Sequence, residues 1–377
     1  MSLFSEVEFQ TRVELAQRRM AKAGFAALLL TTEPDIRYFT GFLTRFWESP
    51  SRPWFVVLPA EGKPVAVIPA IGAALMAKTW VSDIRTWPAP VPEDDGVSLL
   101  SDTLRDLAKG GAVAMPMGYE TALRMPLTDF RRVEAAIAPM RIVPDDGLVA
   151  KVRAVKSPAE IALIRQACAT AGRAFDRLPE IAGQGVALSS VFRDFQRLCL
   201  EEGADWVPYL AGGAGAGGYD DVISPASDTP LRRGDVLMLD TGLMRSGYFC
   251  DYDRNWSVGP ASAVARSGWA QLLEATEAGR VAMQPGARAC DLFHAMAAVT
   301  GAGEGGRLGH GLGMQLTEGL SLTAQDQTVL EPGMVLTLEP GVTLPGGGIM
   351  VHEDDFLVTE TGCEQLSPSA PNHLPEI

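Results

Sequence analysis

The chain has 377 residues, of which 47% are hydrophobic and 21% charged, and this composition predicts a globular protein of two domains. The net charge of −14 argues against a nucleic acid partner, because phosphate binding requires clustered lysine and arginine side chains. No apolar stretch approaches the roughly 20 residues that span a bilayer, so no membrane partner is expected. Five scattered cysteines without a CxxC pair, and a start without a secretory signal, predict a cytoplasmic protein with free thiols.

The N-terminal part of the chain alternates helix and strand patterns. Apolar residues recur at helical spacing from about Phe9 to Gly24, where the glycine ends the predicted helix. Further strands are predicted to begin at Ala26, Trp54, Pro64 and Ala112, and further helices to cover Ile71–Trp80, Val97–Leu107 and Leu127–Ile137. This alternation predicts an α/β domain over residues 1–150.

A change of pattern near residue 150 predicts a second domain over residues 151–377. Ser157-Pro-Ala-Glu160 is a capping box with proline at the first helical position, and it predicts a helix that runs to about Leu178. Two more helices are predicted over Leu188–Glu202 and Ser262–Met283. Between them lies the glycine-rich segment Gly212–Gly218, which we interpret as a loop beside a pocket.

Four short apolar segments of this second domain each carry one carboxylate at or near the end, and a histidine lies among glycines between them. The carboxylates are Asp240, Asp251, Glu339 and Glu353, and the histidine is His310. A single carboxylate of this kind is commonly a cap or a salt-bridge partner, but four brought together repel one another unless cations neutralise them. Oxygen ligands with one imidazole suit Mn²⁺, Co²⁺, Fe²⁺ or Zn²⁺. The pattern indicates two divalent ions, about 3.5–4 Å apart, that activate a water molecule.

Five motifs surround these residues, and together they resemble one protein family. The motifs are Leu239-Asp-Thr-Gly242, Gly247-Tyr-Phe-Cys-Asp251, Gly309-His-Gly-Leu-Gly313, Glu339-Pro-Gly341 and Met350-Val-His-Glu353. They resemble the pita-bread metallopeptidases, family M24, which include Xaa-Pro dipeptidase, aminopeptidase P, methionine aminopeptidase and creatinase. Thr32–Phe42 and Val155–Glu160 resemble the prolidase and creatinase branch. The resemblance implies a creatinase-like, doubly wound α/β N-terminal domain and an α+β pita-bread catalytic domain with a curved antiparallel sheet.

The resemblance also implies a role for each of the five residues. Asp240 is expected to bind one metal ion, and Asp251 and Glu353 to bridge both ions. His310 and Glu339 are expected to complete the second metal site and to be the catalytic residues, with Glu339 as the proton shuttle. The implied cofactors are two divalent ions, Mn²⁺ foremost, with Co²⁺, Zn²⁺ or Fe²⁺ as alternatives. The family also implies a homodimer.

Three positions depart from the prolidase pattern. Ile223 occupies the place of a histidine that precedes the first ligand strand, and Thr317-Glu318 replaces the His-Glu pair that follows the metal-binding histidine. Val351 lies where an arginine commonly precedes the last glutamate. Both histidines normally contact the scissile amide or steady the intermediate, so the chain lacks the expected groups that recognise a peptide bond next to proline. The motif Met350–Glu353 resembles instead the creatinase side of the family and a branch that cleaves dimethylsulfoniopropionate.

Five residues are candidates for substrate contact. Thr317 stands at a substrate-contacting position of the family, Asp253 lies close to Asp251 in the sequence, and His352 precedes Glu353. On a regular strand His352 would face away from Glu353, so a packing role is an equal alternative. Asp253 is alternatively a solvated or capping residue. In the creatinase branch the loop with Trp47 and Arg52 reaches the neighbouring subunit's pocket; the alternative is an exposed loop.

Three functions remain open from the sequence. The leading hypothesis is a metal-dependent hydrolase of the Xaa-Pro peptidase family that acts on a dipeptide or a small amide. The second is a non-peptidase relative, either a creatinase-like amidohydrolase or a C–S lyase in which Asp253 or Asp221 is the base. The third is a metal-free binding module, which the intact ligand set disfavours.

Overall fold

The computed structural model describes residues 3–48 and 52–377, and the chain divides into two compact units at the junction between Arg153 and Ala154. The N-terminal unit alternates strands and helices, which confirms its α/β class. Its elements are α1 (Glu6–Ala23), β1 (Phe25–Leu30), α2 (Glu33–Thr40), β2 (Phe55–Pro59), β3 (Val65–Pro69), α3 (Ala73–Met76), β4 (Asp83–Trp87), α4 (Val97–Ala108), β5 (Ala112–Met115), α5 (Leu127–Ile137) and β6 (Ile142–Pro144). Helix α6 (Leu148–Ala154) crosses the junction.

The strands of the N-terminal unit form one mixed sheet in the order β4-β3-β2-β1-β5-β6. Neighbours among β1, β2 and β3 are antiparallel, whereas β4, β5 and β6 run parallel to the strands that they join. One face packs against α4 and α5 through a core that includes Leu29, Leu104 and Val133. Leu28 and Val56, whose side chains point to the other face, are also fully buried. Both faces of the sheet are therefore covered, as in a doubly wound domain.

The C-terminal unit consists of helices and short antiparallel sheets. Its elements are α7 (Pro158–Asp176), α8 (Leu188–Glu201), β7 (Trp206–Ala216), β8 (Asp235–Arg245), β9 (Tyr248–Phe249), β10 (Tyr252–Ser257), α9 (Ala263–Ala282), α10 (Ala289–Thr300), β11 (Val335–Leu338), β12 (Gly341–Thr343), β13 (Ile349–Val351), β14 (Asp354–Thr359) and β15 (Gly362–Gln365). The capping box of Ser157 and Glu160 is formed at the start of α7. Strands β10, β8 and β7 form one sheet, β11, β14 and β15 a second, and β12 and β13 pair as a hairpin.

Antiparallel pairing runs through all of these sheets. Helices α9 and α10 supply apolar side chains to two cores of the unit. Trp269 of α9 packs with Met238 of β8 and Met350 of β13, whereas Phe293 of α10 packs with Leu336 of β11 and Phe356 of β14. This arrangement is the α+β pita-bread class that the family resemblance implies.

Three local expectations are wrong. Gly212 and Gly213 belong to strand β7 rather than to a loop, because a Cβ at Gly212 would collide with the carbonyl oxygen of Met238 and only glycine allows the approach. Gly217 and Gly218 follow the strand as a turn and line a cavity, as expected for that part of the segment. The helix expected over Ile71–Trp80 is reduced to a short 3₁₀ turn and α3. Strand β13 ends at Val351, so the alternation expected to direct His352 and Glu353 to opposite faces does not apply.

Among residues 3–48 and 52–377, no helix combines the length and the apolar content needed to cross a membrane.

Candidate metal centre

The register of β8 and β10 gathers three carboxylates on one face of their sheet. Asp240 lies directly opposite Asp253, and directly opposed residues of antiparallel strands share a face. Asp251 immediately precedes β10 and is two residues from Asp253, so it points to the same side. On the other flank of β8, Tyr209 is close enough for its hydroxyl to hydrogen-bond to Asp240. The sheet therefore presents a row of buried acidic side chains.

The remaining predicted ligands are brought to this row by irregular segments that follow or precede short strands. Glu339 comes directly after β11, and its backbone N–H donates to the carbonyl of Leu308 at 3.0 Å. Glu353 lies between β13 and β14, and its N–H donates to Asp253 Oδ1 at 3.1 Å. Gly309, which precedes His310, has a φ of +139°, and a Cβ there would collide with the carbonyl oxygen of Thr337. Glycine is therefore required beside His310.

His310 is held so that one ring nitrogen faces the carboxylates. Its Nδ1 lies 3.0 Å from the carbonyl oxygen of Gly311, which places the ring proton on Nδ1. The lone pair of Nε2 is therefore available to a metal ion. Nε2 lies 3.3 Å from Asp251 Oδ2 and 3.8 Å from Glu353 Oε1. A neutral imidazole oriented by a backbone carbonyl is a typical metal ligand.

Donor atoms of Asp251, His310 and Glu353 all lie within 4.8 Å of one another, and the three residues are buried. Asp240 Oδ1, Asp251 Oδ1 and Glu353 Oε1 are buried without a hydrogen-bond partner. Buried carboxylate oxygens without donors are costly, and a divalent cation removes that cost. The hard oxygen donors with one imidazole nitrogen therefore fit a divalent metal ion.

The electrostatics of the ligands point the same way. Burial first and neighbouring carboxylates second raise the pKa values of Asp240, Asp251 and Glu353 well above their usual range. Burial, with help from the charge of Arg307, lowers the pKa of His310 to about 4. The histidine is therefore neutral and able to bind a cation, whereas the carboxylates lack the positive charge that a metal supplies.

Glu339 differs from the other carboxylates in its surroundings. Burial raises the pKa of Glu339 to about 7; Arg307 opposes this rise and Asp253 adds to it. Arg307 is exposed, lies three residues before His310, and donates from Nη2 to Thr317 Oγ1 at 3.3 Å. Thr317 itself is half-buried, so the structure brings this predicted substrate residue beside a cationic side chain that acts on the centre.

Further buried polar side chains contact Asp253, which lies opposite Asp240. His352 Nδ1 lies 3.1 Å from Asp253 Oδ1, and Nε2 lies 3.0 Å from Asp354 Oδ2. Burial opposes a charge on His352, but Asp354 and Asp253 outweigh it and raise the pKa of the ring to about 9. Arg254 pairs with Asp354 at 2.9 Å, and all of these groups are buried. Asp253 and His352, predicted separately as substrate contacts, thus contact each other.

Sequence reasoning missed several residues of this region. Asp355 Oδ2 accepts from the backbone N–H of Asp251 at 3.1 Å and lies 3.2 Å from Cys168 Sγ. Burial raises the pKa of Asp355 to about 8. Tyr209 and Asp355 gave no signal, because their proximity arises from sheet pairing across long sequence separations. Arg307 was detectable, since it lies within the glycine-rich approach to His310.

Two sequence models match the chain. The model of metallopeptidase family M24 matches residues 162–360, and that of the creatinase/prolidase N-terminal domain matches residues 12–155. The chain belongs to metallopeptidase family M24. It is therefore an enzyme of a family whose members use divalent metal ions, and the cluster of Asp251, His310 and Glu353 is a possible metal-binding site in it.

Relatives of this M24 metallopeptidase extend over its length. Probable dipeptidase PepE of Mycobacterium bovis is 30% identical over 98% of this chain and 97% of its own. Xaa-Pro dipeptidase of Pyrococcus horikoshii is 29% identical over 67% of this chain and 71% of its own. The structure of dipeptidase PepE from Mycobacterium ulcerans has a TM-score of 0.85, 26% identity and 99% coverage of both chains. A prolidase from Thermococcus sibiricus, at 22% identity and a TM-score of 0.87 over 99% of this chain and 100% of its own, shares the fold.

Ile223, one of the positions that depart from the prolidase pattern, differs from the proposed ligands because its side chain is exposed rather than buried. Ile223 is 84% exposed, and its N–H donates to Asp221 Oδ1 at 2.9 Å. Asp221 is exposed and also accepts from the N–H and hydroxyl of Ser224, so it caps its own loop. Of the four histidines in this M24 chain, His294 and His373 are exposed, and only His310 and His352 are buried.

Trp47 and Arg52 belong to the N-terminal unit. Trp47 is 3% exposed and packs with Phe42 and Trp54 at centroid distances of 6.5 and 5.7 Å. Arg52 is half-buried, with its guanidinium 5.8 Å from the centroid of the Phe46 ring. Their predicted contact with a substrate in a neighbouring subunit stays a prediction.

Proposed function

We propose that this chain is a metal-dependent hydrolase of dipeptides or small amides, with two divalent ions bound by Asp240, Asp251, His310, Glu339 and Glu353. The observation that carries the proposal is the buried cluster of Asp251, His310 and Glu353, whose potential ligand atoms all lie within 4.8 Å of one another. Unpartnered oxygens on Asp240, Asp251 and Glu353 support it. Residues 151–377 are the proposed catalytic domain.

The ligands divide the work as the family resemblance suggests. Asp240 would hold one ion, His310 and Glu339 would hold the other, and Asp251 and Glu353 would contribute oxygen atoms to both. Two divalent ions, when bound, polarise the scissile carbonyl and lower the pKa of a water molecule. Glu339 takes the proton of the attacking water and passes it to the leaving nitrogen. The burial of these side chains keeps bulk water away from the reacting atoms.

Arg307 and Thr317 form the proposed contact with the substrate's carboxylate. The charge of Arg307 lowers the pKa values of His310, Asp251 and Glu339, so its guanidinium lies near the centre although the side chain is exposed. A guanidinium binds a carboxylate through parallel hydrogen bonds, and a threonine hydroxyl adds one donor. A dipeptide, whose carboxylate lies one residue from the scissile bond, suits this arrangement.

The test is turnover of Gly-Pro and Ala-Pro dipeptides by the enzyme reconstituted with Mn²⁺, the metal proposed first. Glu339→Ala removes the shuttle and a ligand, and we expect the rate to fall by at least about 100-fold. Glu360→Ala changes an exposed glutamate and is the matched control, expected to keep full activity. Hydrolysis lost only in Glu339→Ala supports the proposal. No turnover by wild-type enzyme with two ions bound contradicts dipeptide hydrolysis.

A second candidate is a non-peptidase activity, either a creatinase-like amidohydrolase or a C–S lyase. It is favoured by Ile223 at the expected histidine position, because an isoleucine side chain has no polar atom that could hold a scissile amide, and this one is 84% exposed. Asp221, one of the two bases considered for a lyase, caps its own loop and is a poor candidate. Small amides, betaines and sulfonium acids tested on the same metal-loaded enzyme distinguish this activity from the first.

The proposal includes a cytoplasmic homodimer in which Trp47 and Arg52 contribute to the partner's pocket. The support is the resemblance of Thr32–Phe42 to the creatinase branch and the position of the two residues after that segment. Analytical ultracentrifugation tests the dimer. Arg52→Ala tests the contact: an unchanged KM with an intact dimer contradicts it.

A further inference from the structure

Asp253 is a buried carboxylate of the centre that the five proposed ligands do not include. It lies directly opposite Asp240 in the register of β8 and β10, and its side chain is fully buried. Asp251 is two residues away on the same face. Residues directly opposed across antiparallel strands have Cβ atoms about 4.5–5.5 Å apart, so the carboxylates of Asp253 and Asp240 are neighbours.

The two oxygens of Asp253 have different surroundings. Oδ1 accepts from the backbone N–H of Glu353 and lies beside His352 Nδ1, both at 3.1 Å. Oδ2 is buried and has no hydrogen-bond partner, and the same holds for Oδ1 of Asp240. Two unpartnered oxygens on opposed, buried carboxylates repel each other, and a shared cation satisfies both.

His352 fixes which oxygen of Asp253 remains available. Its second ring nitrogen, Nε2, lies 3.0 Å from Asp354 Oδ2, so both nitrogens are engaged. Asp354 in turn pairs with Arg254 at 2.9 Å and accepts from Ser367 Oγ at 2.7 Å. The edge of Trp269 packs against the imidazole at a centroid distance of 5.0 Å. The ring therefore cannot turn without breaking several contacts, and it holds Oδ1 of Asp253 away from the centre.

We propose that Asp253 is a sixth protein ligand of the metal centre, supplying Oδ2 on the side of Asp240, and that His352 is the positioning residue that orients it. This inference rests on the proposed function, because it requires the divalent ions. A further oxygen ligand favours ions that accept five or six ligands, such as Mn²⁺, over Zn²⁺, for which four ligands are usual.

The test measures metal binding rather than activity. Asp253→Asn keeps the size of the side chain and removes its charge. In calorimetric titrations of the metal-free protein with Mn²⁺, wild type is expected to bind two ions, and Asp253→Asn to bind one of them at least about 10-fold more weakly. The visible absorption of the Co²⁺-loaded protein is expected to change, since band intensity reports coordination number. Asp221→Asn, an exposed aspartate, is the matched control.

His352→Gln is the second variant, and it keeps the carboxylate of Asp253 while removing its anchor. This variant is expected to lower the affinity for the same ion by about 10-fold and to alter the same Co²⁺ absorption band. Equal affinities and spectra in wild type, Asp253→Asn and His352→Gln would overturn the inference. The inference would also be overturned if both variants bound both ions more weakly to the same extent and had a lower melting temperature without metal, because that result indicates a structural role. A wild-type protein that binds no metal contradicts the proposed function itself.

Discussion

At the scale of single residues, Arg307 is the proposed contact of the substrate's carboxylate. Replacing Arg307 by alanine removes a charged hydrogen bond worth about 1.5–3 kcal/mol, so we expect kcat/KM for Ala-Pro to fall by about 10- to 100-fold. The loss is expected mainly in KM, because the carboxylate contact is made equally in ground and transition states. Steady-state kinetics at fixed Mn²⁺ concentration measure it. Arg307→Lys keeps the charge but not the paired geometry, and an intermediate loss is expected.

A blocked substrate provides the control for this prediction. With Ala-Pro amide, which has no carboxylate, the loss of rate in Arg307→Ala is expected to be much smaller than with the free acid. If Arg307→Ala lowers the rate with the amide as much as with the free acid, Arg307 acts on the metal centre and not on the substrate. That outcome would contradict the carboxylate contact.

At the scale of elements, a small polar cluster attaches the end of β13 to β10. Asn255 of β10 donates from Nδ2 to the carbonyl of Val351 at 2.9 Å, and the N–H of Val351 donates to the hydroxyl of Tyr219 at 2.6 Å. The Tyr219 hydroxyl in turn donates to Asn255 Oδ1 at 3.3 Å. Glu353 follows Val351 by two residues, so we expect this cluster to help position a proposed metal ligand.

Asn255→Ala is therefore expected to reduce both stability and metal binding. The free energy of unfolding should fall by about 1–3 kcal/mol, because buried partners lose their hydrogen bonds. Metal affinity should fall by about 10- to 100-fold, as for other residues that orient ligands. Urea denaturation and calorimetric titration measure the two effects. Asn372→Ala, at an exposed asparagine, should change neither; a loss of stability in Asn255→Ala with wild-type metal affinity would show that the cluster does not position Glu353.

The same elements show what the sequence could predict. Helices α4, α5, α7 and α8 follow amphipathic periodicity, and α7 also begins with a capping box, so their predicted limits agree with the structure within two residues. The sequence does not predict strand β7, because its glycines resemble a loop. These glycines allow β7 to approach β8 closely, and that partner strand lies elsewhere in the chain. The contact of Asp253 with His352 was missed for the same reason. Local patterns determine elements, whereas register and the irregular end of β13 determine which side chains meet.

For the whole molecule, the sequence motifs were sufficient for the fold class and the family, because motifs spread over most of the chain each carry part of the resemblance. The choice of substrate was not predictable. The proposed contact is formed by Arg307 and Thr317, which meet only because the segment after His310 folds back toward the residues before it. Composition and periodicity contain no record of that contact.

Removal of metal should affect the stability of the C-terminal unit, in which all the proposed ligands lie. Without cations, the buried carboxylates of Asp240, Asp251 and Glu353 have unpartnered oxygens and repel one another. Each ion, at a concentration of about 100 times its Kd, should raise the free energy of unfolding by about 2.7 kcal/mol. For a unit of this size, each kcal/mol raises Tm by roughly 2–4 °C. Calorimetric melts of protein treated with EDTA and then reloaded with Mn²⁺ measure this gain.

Hydrogen exchange locates the effect, and a ligand variant is its control. Reloading with Mn²⁺ should slow exchange in β8, β10 and the segment around His310. In His310→Ala the gain in Tm should be smaller, because binding at the second site loses its imidazole. Two results would contradict the proposed centre: equal melting temperatures with and without Mn²⁺, or protection confined to residues outside 154–377. Either result would mean that shared protons, and not metal ions, stabilise the unpartnered carboxylates.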